Sequence, residues 1–175
     1  MDRKKIILIG IIIGTLIMTG CSNIKDESNK NKDISINDIS STINKIKTIE
    51  DICIVTEDND PNGKLNKSGG YIGALYFVDI TLPKVETIID DDSYEERPPK
   101  DTCEAGTIAG GSIELYSNSK DANNRDDYLS AFDSTSQASG HKQYNNIIIR
   151  TSDEFTAAQQ KELTEAIINQ IEKIK

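Results

Sequence analysis

Oxygen-bearing side chains occupy alternate positions from Asp58 to Asn62 in one short, turn-rich segment, DNDPNGKLN at residues 58–66. This alternation, closed by Gly63, matches the first half of the calcium-binding loop pattern D-x-[DN]-x-[DN]-G, in which three side-chain oxygens reach one ion. The candidate metal ligands are Asp58, Asp60, Asn62, the carbonyl oxygen of Lys64, and Asn66. The segment is therefore a candidate calcium site.

The second half of that calcium-binding pattern is missing. The twelfth position holds Gly69 where an EF-hand has a bidentate Glu, and Pro61 is unusual inside such a loop. Any calcium affinity is then expected to be weak, about 10⁻⁴ to 10⁻³ M. The alternative is that Asp-Pro-Asn-Gly makes successive turns between two antiparallel strands. Both interpretations stay open, and no other cofactor is expected.

A second set of polar side chains shares one face of a predicted helix. Asp121, Arg125 and Tyr128 follow one another at the i, i+4 and i+7 positions, so their side chains are neighbours on the helix surface. Asp before Arg at this spacing stabilises a helix by a few tenths of a kcal/mol, about 0.2–0.5. The set is either a structural pair or a ligand-binding face.

Signals for catalysis are scarce. The single histidine, His141, is predicted to lie in an exposed loop, and the acidic run of residues 86–96 is predicted to be a solvated loop. The chain contains no G-x-S-x-G, H-E-x-x-H or P-loop motif. We therefore assign no catalytic residue and expect a protein that is not an enzyme.

The three cysteines fall into two groups, because Cys21 ends an N-terminal apolar segment and the other two lie within the domain. Arg3, Lys4 and Lys5 precede an uncharged stretch at residues 6–18, and the sequence then reads Thr-Gly-Cys at residues 19–21. This segment has the length of a signal-peptide core and is too short to span a bilayer, which takes about 20 apolar residues. It resembles the lipobox of bacterial lipoproteins, which implies cleavage before Cys21 and a diacylglyceryl group on its sulfur.

The other two cysteines, Cys53 and Cys103, are an even number in an exported chain, so a single disulfide is permitted. Two separate thiols are the alternative, and spacing alone does not decide between them. The net charge of −9 opposes binding to nucleic acid, so no nucleic-acid partner is expected.

The elements that must position these residues follow from hydrophobic periodicity. Residues 1–20 are predicted to be the signal peptide, residues 21–34 the lipidated cysteine and a flexible tether, and residues 35–175 one extracellular domain. Helical stripes begin and end that domain, with strand-like runs at residues 52–56, 71–82, 107–116 and 147–149. The order α-β-β-β-α-β-α predicts an α+β fold, with a mainly antiparallel sheet of about four strands and helices on one face.

Three segments, DPNGKLNKSGGY, GGSIELYSNSKDANNRDDYLSAF and NNIIIR, carry a resemblance that covers residues 56–175. Together with the lipobox they resemble a family of uncharacterised lipoproteins of Gram-positive bacteria. That family has a D-P-N-x-L-L-G-K-x-G-x-Y loop, a G-G-x-I-E strand, a D-A-x-x-R-x-x-Y helix and a late N-x-L-L-R strand. The resemblance supports the domain and implies no activity.

These observations predict a lipoprotein anchored at Cys21 on the extracellular face of the cell membrane. Its expected role is non-enzymatic, binding a ligand or a protein partner. The alternatives are a calcium-dependent structural or adhesive module built on residues 58–66, and a wall-modifying hydrolase that uses the acidic loop and His141.

Overall fold

Helices and short strands alternate irregularly along the computed structural model, which describes residues 34–90, 93–133 and 140–174. In chain order the elements are α1 Ile36–Ile43, β1 Ile49–Ile54, β2 Gly73–Asp79, β3 Ile88–Ile89, β4 Glu96–Arg97, α2 Thr102–Ala109, β5 Gly110–Leu115, α3 Ser119–Ser130, β6 Gly140–Tyr144, β7 Ile147–Thr151 and α4 Ala157–Ile171. The predicted signal peptide, Cys21 and the tether up to residue 33 lie outside the described residues. Within the described residues, no helix has both the length and the apolar character needed to cross a membrane.

The central element is a five-stranded sheet in the order β1-β2-β5-β7-β6, and every neighbouring pair is antiparallel. Strands β3 and β4 form a separate two-stranded hairpin. The predicted α+β class with an antiparallel sheet is therefore confirmed.

Successive residues of a strand point to opposite faces of a sheet, and β2 shows the consequence. Leu75 and Phe77 join one buried cluster, whereas Ala74 and Tyr76 join another. The first cluster contains the apolar side chains of α1 and α4, and we call this side the apolar face. The second contains side chains of α2 and α3, and we call it the polar face because charged and phenolic groups are buried there.

Helices α1 and α4 begin at capping boxes that the sequence signals. Ser35 and Asp38 form the first, and Thr156 and Gln159 form the second. Each helix then buries a stripe of isoleucine or leucine against the sheet. Ile34, placed by the sequence at the end of the tether, packs against this same core.

Helix α2 packs closely on the polar face. A Cβ atom on Gly106 would lie 2.9 Å from the carbonyl oxygen of Phe77, so the absence of a side chain there lets the helix approach β2. A disulfide between Cys53 of β1 and Cys103 of α2, with Cα atoms 5.2 Å apart, ties the same helix to the edge strand.

The observed order of elements corrects the predicted order in three places. The hairpin β3–β4 lies in the acidic run that was predicted to be a solvated loop, helix α2 includes the first three residues of the strand predicted at 107–116, and β6 occupies a predicted loop. These elements escaped detection because two are very short, α2 has a glycine in its interior, and β6 is polar. The prediction of helices on one face is also wrong. Helices cover both faces of the sheet, and β2 and β5 are therefore buried on both sides.

Candidate functional site

Four segments that stand out in the sequence meet on the polar face. The turn-rich loop contributes Asp60 and Asn62, β5 contributes Glu114, α3 contributes Arg125, and β7 contributes Arg150. Three tyrosines join them. We call the whole set, Asp60, Asn62, Tyr71, Tyr76, Glu114, Tyr116, Arg125 and Arg150, the polar cluster.

Glu114 lies at the centre of the polar cluster and is only 1% exposed. Arg125 binds its carboxylate in a bidentate manner, through Nε to Oε2 and Nη2 to Oε1, both at 3.0 Å. The Tyr116 hydroxyl donates a hydrogen bond to Oε2 at 2.7 Å. A carboxylate this buried needs such partners, because an unpaired charge in the interior is very costly.

The contacts with Glu114 also shift the pKa values of the side chains around it. Burial of Arg125 on its own lowers its pKa, but the hydrogen bonds to Glu114 outweigh burial and the net pKa is raised. Burial and the neighbouring Glu114 raise the pKa of Tyr116 far above its usual value. Arg125 therefore stays charged and Tyr116 stays a hydrogen-bond donor at physiological pH.

The turn-rich loop is closed by its own polar groups. The Asp60 carboxylate accepts hydrogen bonds from the backbone N–H groups of Leu65 at 2.8 Å and Asn62 at 3.1 Å, and from the Tyr71 hydroxyl. Burial favours a higher pKa for Asp60, but these hydrogen bonds lower it overall. Asn62 donates through Nδ2 to the Tyr76 hydroxyl at 2.8 Å, which attaches the loop to β2.

Two of the candidate calcium ligands, Asp60 and the Lys64 carbonyl, therefore accept hydrogen bonds from the protein in this structure. Both Asp60 oxygens accept protein hydrogen bonds, and the Lys64 carbonyl accepts one from the Lys67 N–H group at 3.2 Å. Asp58 is exposed, and Asn66 has a left-handed backbone with φ of 56°. These contacts favour the turn interpretation, while calcium binding stays a prediction for titration.

Among the described residues, one group of three potential metal ligands comes close together, formed by Cys53, Asp101 and Cys103. Both sulfurs belong to the disulfide, so this group has no free thiolate to offer a metal.

The predicted face of α3 is divided between two roles. Arg125 turns toward Glu114, and its guanidinium carbon also lies 5.5 Å from the centre of the Tyr128 ring. Asp121 instead belongs to the helix N-terminus, where its carboxylate accepts a hydrogen bond from Asn118 at 2.8 Å. Tyr128 is 56% exposed and leaves part of its ring at the surface.

His141 lies on β6 and is largely buried, so the prediction of an exposed loop histidine is wrong. Its Nε2 atom is 3.2 Å from the Ser130 hydroxyl and 3.7 Å from a carboxylate oxygen of Asp126, and its Nδ1 atom is 3.5 Å from a carboxylate oxygen of Asp133. His141 is also the cross-strand neighbour of Arg150. The polar side chains of this face therefore continue across the sheet as far as the edge strand β6.

A cavity of about 250 Å³ opens beside the polar cluster, between the turn-rich loop, α2 and the end of β7. We call it the Arg150 cavity. Its floor is one row of cross-strand neighbours, Tyr76, Ser112 and Arg150, which β-sheet register places side by side. Asn62 and Asp153 also line it.

Arg150 is the least satisfied charged group of the polar cluster. Its Nε atom is buried and has no hydrogen-bond partner within the part of the chain that the structure describes. Its contact with Glu114, 3.7 Å from Nη1 to Oε1, is longer than a hydrogen bond. Because the side chain is 27% exposed, this guanidinium can present unused N–H donors to the cavity.

A larger groove of about 1230 Å³ runs along the other end of β2, between the hairpin region and α2. It is wide and open, and its lining includes Asp79, Pro98 and Ala105. It lacks a buried guanidinium without acceptors, so the smaller Arg150 cavity is the better candidate site.

Several members of the polar cluster were not predicted from the sequence, namely Glu114 and the tyrosines at positions 71, 76 and 116. One signal was available for Glu114, because a glutamate inside an otherwise uncharged strand, GGSIEL, needs a buried cation. Arg150 follows the apolar run Ile-Ile-Ile in β7, and a cation in such a strand likewise needs a buried anion as its partner. The tyrosines carried no comparable signal, since aromatic residues are common in strands.

No protein-family model, no curated protein and no solved structure matches this chain. Its function is therefore inferred from the arrangement of its own residues.

Proposed function

We propose that this protein is a lipoprotein anchored through Cys21 on the extracellular face of the membrane, and that it acts as a non-enzymatic module that binds the anionic group of a small ligand in the Arg150 cavity. The observation that carries the ligand proposal is the partly exposed guanidinium of Arg150, whose Nε–H group has no acceptor among the described residues and whose nearest contact with Glu114 is too long for a hydrogen bond.

Charge pairing inside the polar cluster explains why Arg150 is available. Glu114 is already neutralised by the bidentate contact with Arg125, so Arg150 is a second cation beside one carboxylate. An unsatisfied charged donor in a partly buried position costs free energy in the unbound protein. An anionic group that accepts from the guanidinium would remove that cost, and planar bidentate recognition of carboxylate or phosphate is the usual task of arginine.

The other groups on the cavity floor act as hydrogen-bond donors and do not form a catalytic set. Burial and nearby Glu114 raise the pKa of Tyr76 to about 12, so its hydroxyl remains protonated at neutral pH. Tyr76 and Ser112 are neighbours in the sheet, and no base among the described residues hydrogen-bonds the Ser112 hydroxyl. Without such a base a serine hydroxyl is a weak nucleophile, which supports binding as the role of the cavity.

The anchor proposal rests on the sequence at residues 1–21. Two acyl chains on Cys21 would hold the protein at the membrane, since each buried CH₂ contributes about 0.8 kcal/mol and one chain alone binds only transiently. Expression of Cys21→Ala in a Gram-positive host tests it. The variant should leave the membrane fraction, and full membrane retention would contradict the anchor.

Calorimetric titration of the full-length protein in detergent with acetate, propionate and inorganic phosphate tests the anion site. Arg150→Gln should weaken binding at least tenfold, because it removes the charge and most of the donors. The matched control is Lys67→Gln, which removes a positive charge from the exposed part of the turn-rich loop and should leave affinity unchanged. Absence of anion binding to the unaltered protein, or equal binding by Arg150→Gln, would overturn the proposed site.

A further inference from the structure

The Arg150 cavity is lined by acceptors as well as donors. The floor carries the donors of Tyr76, Ser112 and Arg150. Asn62 and Asp153, which also line the cavity, carry side-chain oxygens. A ligand that carried only negative charge would meet repulsion from Asp153.

Both acceptors are free to receive a hydrogen bond. Asn62 uses its amide nitrogen to contact Tyr76, which leaves its Oδ1 atom as an acceptor. Asp153 forms no ion pair within residues 34–90, 93–133 and 140–174, and it is an exposed residue of the cavity lining. The lining therefore matches a positive group on the ligand near Asp153 and a negative group near Arg150.

The volume restricts the size of such a ligand. Cavities for drug-sized molecules measure about 300–1,000 Å³, and this one is smaller, about 250 Å³. The two charged groups of its ligand must then be separated by only a few atoms.

Extending the proposed function on which it rests, we infer that the ligand of the Arg150 cavity is a small zwitterion of the free α-amino acid class. Its carboxylate is bound by Arg150 with help from the Ser112 and Tyr76 hydroxyls. Its ammonium group is bound by Asp153 and the Asn62 side-chain oxygen. The bipolar lining distinguishes this ligand from a peptide C-terminus, which has a carboxylate without an adjacent ammonium group.

Calorimetric titration of the full-length protein in detergent with a panel of free L- and D-amino acids tests this inference. For the best binder, two matched probes are titrated beside it, the deaminated acid, which lacks the ammonium group, and the amide, which lacks the carboxylate. The amino acid should bind at least tenfold more tightly than either probe.

Two variants assign the two charges. Asp153→Asn should abolish the preference for the amino acid over the deaminated acid while leaving affinity for that acid unchanged or higher. Arg150→Gln should weaken both. Glu154→Gln is the matched control, because it removes the neighbouring acid, which does not line the cavity.

Equal affinity for the amino acid and its deaminated form, or an unchanged preference in Asp153→Asn, would overturn the zwitterion inference and leave the anion site standing. Binding of acetate or phosphate without binding of any amino acid has the same consequence. Failure of every carboxylate and phosphate to bind overturns both proposals.

Discussion

The two faces of the central sheet are built from alternating residues of the same strands, yet they are stabilised in different ways. On the apolar face, Ile113 of β5 lies among aliphatic side chains of α1 and α4. One residue further along the same strand, Glu114 is equally buried on the polar face and is held by Arg125 and Tyr116. The apolar face is stabilised by non-directional packing, whereas the polar face requires a specific partner for each charge.

This difference indicates which face is suited to binding. A close-packed aliphatic layer has no directional groups to offer a ligand. The polar face contains the Arg150 cavity, the disulfide and a guanidinium whose Nε–H group has no acceptor among the described residues, and its network adjoins the loop that lines the cavity. The following predictions test how strongly each face depends on its own kind of contact.

The largest effect is expected from loss of the disulfide. The bond between Cys53 and Cys103 has a sequence separation of 50, and closing a loop of that length corresponds to about 4 kcal/mol in the chain-entropy model. Urea unfolding of the Cys53→Ala/Cys103→Ala variant should show a loss of this size. Hydrogen exchange should increase more in α2, on the polar face, than in α4.

Reduction of the unaltered protein is the control for the alanine substitutions, and it should lower the unfolding free energy by a similar amount. A loss below about 1 kcal/mol in both experiments would show that the polar face does not depend on the covalent link.

Glu114→Gln should have the next largest effect, a loss of about 3 kcal/mol in unfolding free energy, because it leaves Arg125 without its buried counter-charge. Adding Arg125→Met should recover part of that loss, since it removes the buried guanidinium that Glu114→Gln leaves without a counter-charge. Urea denaturation of both variants provides the measurement.

The matched substitution on the apolar face is Ile113→Val, which removes one methylene group from a side chain with 0% exposure. It should cost about 1 kcal/mol. If Glu114→Gln lowers the unfolding free energy no more than Ile113→Val does, the two faces do not differ in how they are stabilised.

The smallest effect is expected at the edge of the polar face, where Arg97 joins the hairpin to Glu104 of α2. Hydrogen bonds from Arg97 lower the pKa of Glu104 to about 2 from its ordinary value of 4.5. A lowered carboxylate pKa stabilises the fold above the ordinary value, and this contribution is lost as pH falls from 4.5 toward 2.

Melting temperatures measured from pH 6 to about pH 2 should therefore fall less steeply for Glu104→Gln than for the unaltered protein. Glu165→Gln, on the exposed side of α4, is the control and should keep the original slope. Identical slopes for Glu104→Gln and the unaltered protein would show that the Arg97 contact does not couple folding to protonation.

Periodicity in the sequence predicted the antiparallel α+β class, and the Thr-x-x-Gln spacing at residues 156–159 is a capping signal that marks where the last helix begins. The spacing of polar residues also drew attention to Asp60 and Arg125 separately. The element order was less predictable, because α2 contains Gly106 and continues directly into β5, so the whole segment has the composition of a strand.

By itself, the sequence determined which residues alternate along each strand, where the best helices begin, and that residues 1–21 resemble a lipoprotein signal. These are local properties, set by backbone geometry and by neighbours a few positions apart. Only the tertiary structure decided that Glu114 meets Arg125 and Arg150. Electrostatic pairing acts over a few ångströms and depends on strand register, so it brings together residues that local periodicity cannot relate.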